Sequence, residues 1–179
     1  MDRSQILNHV LALANKKGWE KTSVRDISAA IGYSTIKVYS DFGGKEKLLQ
    51  EIQERGFKQL QEHYLNALRR DTTHEEKLFE MACSHAIFSF TNPTLYDLMF
   101  SLNEANCKPG TLSIKRKTGN LIKEVLDELT KDDASQVFLQ FFAWIHGFSI
   151  ICREIPNVNE GELKKMVKAQ VKNFIYGIK

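Results

Sequence analysis

The sequence predicts an all-α protein of nine helices, and three observations carry that expectation. Apolar residues recur at spacings of three and four along nearly all of the 179 residues. Only 3 Pro and 10 Gly are present, too little punctuation for a chain of many short strands and turns. Side chains that cap helices stand at the head of successive apolar-periodic runs.

Taken in order, Asp2 with Gln5 caps a first helix whose stripe is Ile6, Leu7, Val10, Leu13 and Ala14 and which ends at Gly18, with Trp19 anchoring the junction beyond it. Ser23, with Asp26 three residues later, forms a capping box for a second helix in which Val24, Ile27 and Ile31 share a face, and Gly32 stops it. Ser34 caps a third, where Ile36, Val38, Tyr39 and Phe42 alternate with Thr35, Lys37 and Ser40. A helix of barely two turns does not persist alone in water, so it must be carried by its neighbours with its polar face left free. That is the layout of a helix-turn-helix, whose second helix enters the DNA major groove.

A long fourth helix follows from Lys45 to about Arg70, with Leu48, Ile52, Leu60, Tyr64 and Leu68 along one side. Its start at Gly43-Gly44-Lys45 offers free amides that suit a phosphate. A fifth helix spans residues 75 to 90, and Asn92 with Pro93 opens a sixth. Lys108-Pro109-Gly110 reads as a break before a seventh over 111–129, built on Ile114, Leu121, Ile122, Val125 and Leu129. Asp132 or Asp133 caps the eighth, which ends near Arg153, and residues 160–176 form the ninth.

The net charge of +3 is unevenly placed. The first fifty residues hold eight basic and five acidic side chains, and the rest holds seventeen of each. All the positive excess lies with the helix-turn-helix, where phosphate neutralisation governs DNA affinity. Cys83, Cys107 and Cys152 form no disulfide framework and fit a reducing compartment. Met1-Asp2-Arg3 leads into an amphipathic segment unlike a signal peptide. The most apolar run, residues 137–152, is interrupted by Gln140 and His146, so no membrane span and a cytoplasmic location are expected. No Gly-rich phosphate loop, zinc spacing or Gly-x-Ser-x-Gly occurs, and Cys83 and His85 fall on different faces of a helix. Neither an enzyme nor a cofactor or metal is expected.

Thr22, Ser23, Val24, Ile27, Ser28, Gly32, Ser34, Val38, Tyr39, Phe42, Lys45 and Leu48 stand in the order and spacing of a known pattern. With them the chain resembles the TetR family of transcriptional regulators. Residues 92–100 (Asn-Pro-Thr-Leu-Tyr-Asp-Leu-Met-Phe) and 143–147 (Ala-Trp-Ile-His-Gly) are similar to the subgroup known by a Trp, His, Gly signature.

The resemblance implies a three-helix DNA-binding head over residues 1–46 and a six-helix effector-binding and dimerisation core over residues 47–179. It implies DNA contacts from Thr22, Ser23, Ser34, Thr35, Ile36, Lys37, Tyr39, Ser40 and Lys45. It also implies an effector pocket among helices four to eight, for which Tyr64, Phe79, Cys83, Ile87, Met99, Phe100, Leu121, Phe138 and Phe142 are the candidates. Plain core packing accounts for the same pocket residues. Ala143 and Gly147, four apart, permit a close helix crossing. With Ile150, Ile151, Val167, Val171 and Phe174 they are the expected dimer interface of the last two helices.

The expected function is therefore a homodimeric repressor, released from a palindromic double-stranded operator by a small apolar or aromatic effector. Two positions depart from the family pattern. Ile36 stands where a glycine is usual, and Asp41 stands where a His or Tyr often meets phosphate. Asp41 repels DNA unless it turns to Lys37 or Lys45. The alternative reading is thus a ligand-binding or partner-interaction protein on the same fold with weak or lost specific DNA binding.

Overall fold

The structure is a computed structural model that describes residues 1–101 and 108–178; Cys107 lies outside them. The described residues form nine helices: α1 (Arg3–Lys17), α2 (Val24–Ile31), α3 (Thr35–Phe42), α4 (Lys45–Leu68), α5 (His74–Thr91), α6 (Pro93–Phe100), α7 (Pro109–Asp127), α8 (Ala134–Cys152) and α9 (Glu160–Ile178). The all-α, nine-helix expectation holds, with a helical head at the N-terminal end and a larger helical bundle after it.

The caps explain the boundaries. Asp2 with Gln5, Ser23 with Asp26 and Thr73 with Glu76 each close a capping box at the start of α1, α2 and α5. Ser34 accepts the Lys37 amide at the start of α3, and Asp133 accepts that of Ser135 at the start of α8. Gly32 ends α2 in the left-handed region at φ 70°, where a side chain would be strained. Pro109 and Gly110, read as a break, are instead the first two residues of α7, since a proline costs no hydrogen bond at a helix's first position.

The chain forms two compact units. The first contains Met1–Gly56 and Thr94–Ile114. Its core includes Val10 and Ala14 of α1, Ile27 and Ile31 of α2, Val38 and Phe42 of α3, Leu48 and Ile52 of α4, and Leu95, Tyr96 and Met99 of α6. The buried Gln53 side chain donates to the Leu98 carbonyl at 2.8 Å, and Thr94 bonds Asn15. Gly56 lets α6 approach α4: a methyl group there would collide with the Met99 sulfur and lie 3.1 Å from Leu95.

The second unit contains Phe57–Pro93 and Lys115–Lys179. Its centre is α5, which packs on both α8 and α9 and buries Leu78, Met81, Ala82, Cys83, His85 and Ala86. Within α8, Val137, Phe141, Ile145, Ser149 and Cys152 face inward, and within α9, Leu163, Val167, Val171 and Ile175 do so. At 19 residues and a mean hydropathy of 1.3, α8 has the length and composition of a membrane span, more than the interrupted run in the sequence suggested. Only 28% of its apolar window is buried within the chain.

Candidate nucleic-acid interface

The head is built so that α2 supports α3 and α3 presents its outer face. Val38 and Phe42 tie α3 to the core, with 0% and 6% of their surface exposed. On the opposite side Ile36 is 79% exposed and Tyr39 58% exposed. Large apolar surfaces so open on a two-turn helix contribute little to folding, and their placement invites a partner.

The charged groups of α3 are paired with one another. Lys37 Nζ lies 2.8 Å from Asp41 Oδ2 and 5.0 Å from the centre of the Tyr33 ring. Ser40 donates to Asp41 Oδ1 at 3.0 Å. The hydrogen bond from Lys37, then that from Ser40, holds the Asp41 carboxyl below the usual range, and the same contact raises Lys37. Asp41 thus turns to Lys37, while Lys45 stands 5.0 Å over the Trp19 ring and reaches toward the Glu20 carbonyl. Trp19 itself is buried at that junction.

The other expected DNA contacts divide. Ser34, Ser40 and Ser23 are exposed, and Thr35 and Lys45 are half-buried. Ser23 and Ser34 are engaged as caps. Thr22 is 2% exposed and its hydroxyl donates to the Gly18 carbonyl at 2.8 Å, so it braces the α1–α2 turn from inside. Next to Ser23, the Asp26 carboxyl is held well below the usual carboxylate range, chiefly by Lys17 and then by Ser23. The negative end of that cap is therefore offset within the head.

Tyr39 is positioned by a backbone that only glycine tolerates. Gly44 has φ +96°, and a methyl group there would stand 2.9 Å from Tyr39 Cε1 and 3.2 Å from Cδ1. The ring lies on bare backbone beside the first amides of α4. Gly44→Ala is expected to destabilise the protein by about 1–3 kcal/mol and to displace the ring, since both the left-handed backbone and the contact oppose it. Thermal melting and tyrosine ring resonances in NMR spectra check this, and an unchanged melting temperature with unmoved Tyr39 resonances would contradict it.

The pocket candidates separate by unit. Met99 and Phe100 belong to the first unit, with Phe100 4.7 Å from the Tyr96 ring. In the second, Tyr64 and Cys83 are buried, and Phe79, Ile87, Leu121, Phe138 and Phe142 are half-buried. Sequence reasoning missed the centre of this group. The Tyr64 hydroxyl and His85 Nδ1 are 2.6 Å apart in the interior, with Phe142 edge-on to His85 at 6.1 Å. Burial, then His146, pushes the His85 pKa down to about 3. The four-residue spacing within each pair, Phe138 to Phe142 and Phe142 to His146, is the signal that marks the wall, and these rings are stacked. Trp144 packs elsewhere, against Phe141 and Phe148, as its 200° offset from His146 requires. Phe79 lines an open groove of about 560 Å³ with Arg70, Glu80, Lys168 and Ile175.

Of the interface candidates, Ala143, Ile150 and Ile151 are exposed, and Gly147 and Phe174 are half-buried. Val167 and Val171 face inward instead, at 0% and 2% exposure, on the buried stripe of α9. The resemblance implied both as interface residues, and their face is occupied within the chain. Burial, aided by Glu80, pushes the Cys83 thiol up to about 12, which keeps it protonated and unreactive near neutral pH. Among the described residues no group of three or more His, Cys, Asp or Glu side chains is placed to share a metal ion.

Residues 6–52 match the model for bacterial regulatory proteins of the tetR family. No curated protein sequence matches the chain. Solved structures share its fold end to end. The TetR family transcriptional regulator PfmR of Thermus thermophilus is 23% identical with a TM-score of 0.76, over 99% of this chain and 100% of that one. The transcriptional regulator FadR of Bacillus subtilis, solved with stearoyl-CoA, is 16% identical with a TM-score of 0.81, over 99% and 100%. A protein of unknown function from Rhodococcus sp. RHA1 is 19% identical with a TM-score of 0.82, over 97% and 93%. Residues 6–52 thus carry the N-terminal helix-turn-helix of the tetR family of bacterial regulatory proteins, and the helical fold that continues from it is the one these solved structures share.

Proposed function

We propose that the protein is a homodimeric repressor that occupies a palindromic operator and leaves it when a small apolar effector binds. The observation that carries this reading is the outer face of α3, where Ile36 and Tyr39 stand open on a helix whose other side is fixed in the head. Residues 1–46 would read DNA, and residues 47–179 would bind the effector and the second subunit.

Dimerisation is supported by the uncovered side of α8. Leu139 is 66% exposed and Ile151 65%, with Ala143 and Ile150 on the surface between them. A β-carbon at Gly147 would meet nothing within 4 Å, so a partner helix has room to approach closely. Tyr176 of α9 is 89% exposed. Two such helices from each subunit would make a four-helix interface of closed two-fold symmetry. An apolar effector suits the rings around Tyr64, His85 and Phe142, and FadR of Bacillus subtilis, a neighbour in fold, was solved with an acyl-CoA. Effector binding would favour a head spacing that no longer fits two half-sites on one DNA face.

The test is selection of bound fragments from genomic or random duplex DNA, followed by titration of the enriched fragment against salt. Affinity is expected to fall roughly a thousandfold between 50 and 200 mM salt if about six phosphates are neutralised. Sedimentation should give a dimer. A monomer, or an affinity indifferent to salt, would overturn the reading. The second reading, a ligand- or partner-binding protein without useful DNA affinity, has the Lys37–Asp41 pair in its favour; failure to enrich any fragment would establish it.

A further inference from the structure

The choice of DNA sequence, which rests on the DNA-binding reading above, falls to the start of α3. In a helix-turn-helix the first residues of the recognition helix reach the base edges. Here those residues are Ser34 to Lys37, and three of the four are already engaged or withdrawn. The Ser34 hydroxyl accepts the Lys37 amide at 3.2 Å as the helix cap. Thr35 is half-buried. The Lys37 ammonium is drawn back along the helix to Asp41 at 2.8 Å and lies over the Tyr33 ring. Ile36 remains, with 79% of its surface open and only hydrocarbon to offer.

Hydrocarbon in the major groove has one natural counterpart. Adenine, guanine and cytosine present donors and acceptors there, and thymine alone adds a methyl group. A lysine at this end of the helix would favour guanine by bonding O6 and N7, but the salt bridge to Asp41 must first be broken. Burial of Ile36 against a methyl group needs no such exchange and removes apolar surface from water on both sides.

We infer that Ile36 is a specificity-determining residue that reads the 5-methyl group of a thymine in each operator half-site, with Lys37 held out of base recognition by Asp41 and Tyr33. Half-sites selected by the protein should share a thymine at one fixed position. Removing that methyl group alone should weaken binding by about fourfold per half-site, the value of one buried carbon centre.

The experiment uses the full chain and operator duplexes obtained by selection from a random library, resynthesised with deoxyuridine in place of thymidine at one position at a time. For the wild type, one position per half-site should show the fourfold loss. Ile36→Ala, at a site too exposed to affect folding, should bind the thymidine and deoxyuridine duplexes equally. Ile36→Val, which keeps the branched surface next to the backbone, should show a reduced but measurable difference. The inference is overturned if every deoxyuridine duplex binds like its parent, or if the full fourfold loss persists in Ile36→Ala. It is equally overturned if Lys37→Ala, and not Ile36→Ala, abolishes the sequence preference. Failure to select any duplex would instead remove the DNA-binding reading on which it rests.

Discussion

Between pH 7 and pH 5 the folded protein is expected to lose about 2 kcal/mol of stability through His85 alone. The imidazole lies in the interior, bonded to the Tyr64 hydroxyl at 2.6 Å and bounded by the Phe142 ring, and its pKa is pushed down to about 3. Burial is the larger cause and His146 the smaller. In the unfolded chain the same group titrates near 6.5. Between these values the unfolded state binds a proton that the folded state refuses, so stability rises with pH. The contribution is complete above about 6.5 and is lost progressively as the pH falls toward 3. Urea unfolding at pH 7, 6 and 5, at one protein concentration, measures it. His85→Gln keeps a polar partner for Tyr64 but cannot take up the proton, so its stability should depend on pH less by the same amount. If acid destabilised that variant as much as the wild type, the buried imidazole would not be the cause.

Tyr39→Ala is expected to weaken operator binding more than tenfold for each head that touches DNA. A hydrogen bond to a charged group is worth about 1.5–3 kcal/mol, and on the DNA-binding reading the Tyr39 hydroxyl would make one to a backbone phosphate. Tyr39→Phe separates the two parts of the side chain. It retains the ring on Gly44 and loses the hydroxyl, so most of the loss should persist while the melting temperature stays unchanged. The 58% exposure of Tyr39 makes both substitutions mild for the fold. Fluorescence anisotropy with a selected duplex gives the affinities, and an unaltered affinity in Tyr39→Ala would remove Tyr39 from the interface.

The sequence displayed the helices more completely than the surroundings of their side chains. Caps are local: Asp2 with Gln5, and Ser23 with Asp26, need only four consecutive residues, and both formed as expected. The outward face of α3 was legible only in part, because the alternation grouped Ile36 and Tyr39 with Val38 and Phe42, and only the latter two are buried. Thr22 was not, because the Gly18 carbonyl that captures its hydroxyl exists only once α1 has ended in that way. Val167 and Val171 show the same limit, since periodicity gives a stripe without naming what covers it. The Tyr64–His85 pair joins residues of different helices at 2.6 Å, and no spacing within either helix announces it.

The inclusion of α6 in the first compact unit has a consequence for how the protein is made. The chain passes from one unit to the other at Gly56, again at Pro93 and again at Ile114. When a ribosome has released residue 56, the Gln53 amide still lacks the Leu98 carbonyl, and the bare side of Gly56 still lacks Leu95 and Met99. At about 5–20 residues per second, residue 114 arrives roughly 3–12 s later. The reading head is thus among the first parts to be synthesised but cannot be the first to be completed. A fragment cut at residue 56 would leave the ribosome with the helix-turn-helix written in full and one wall of its housing missing.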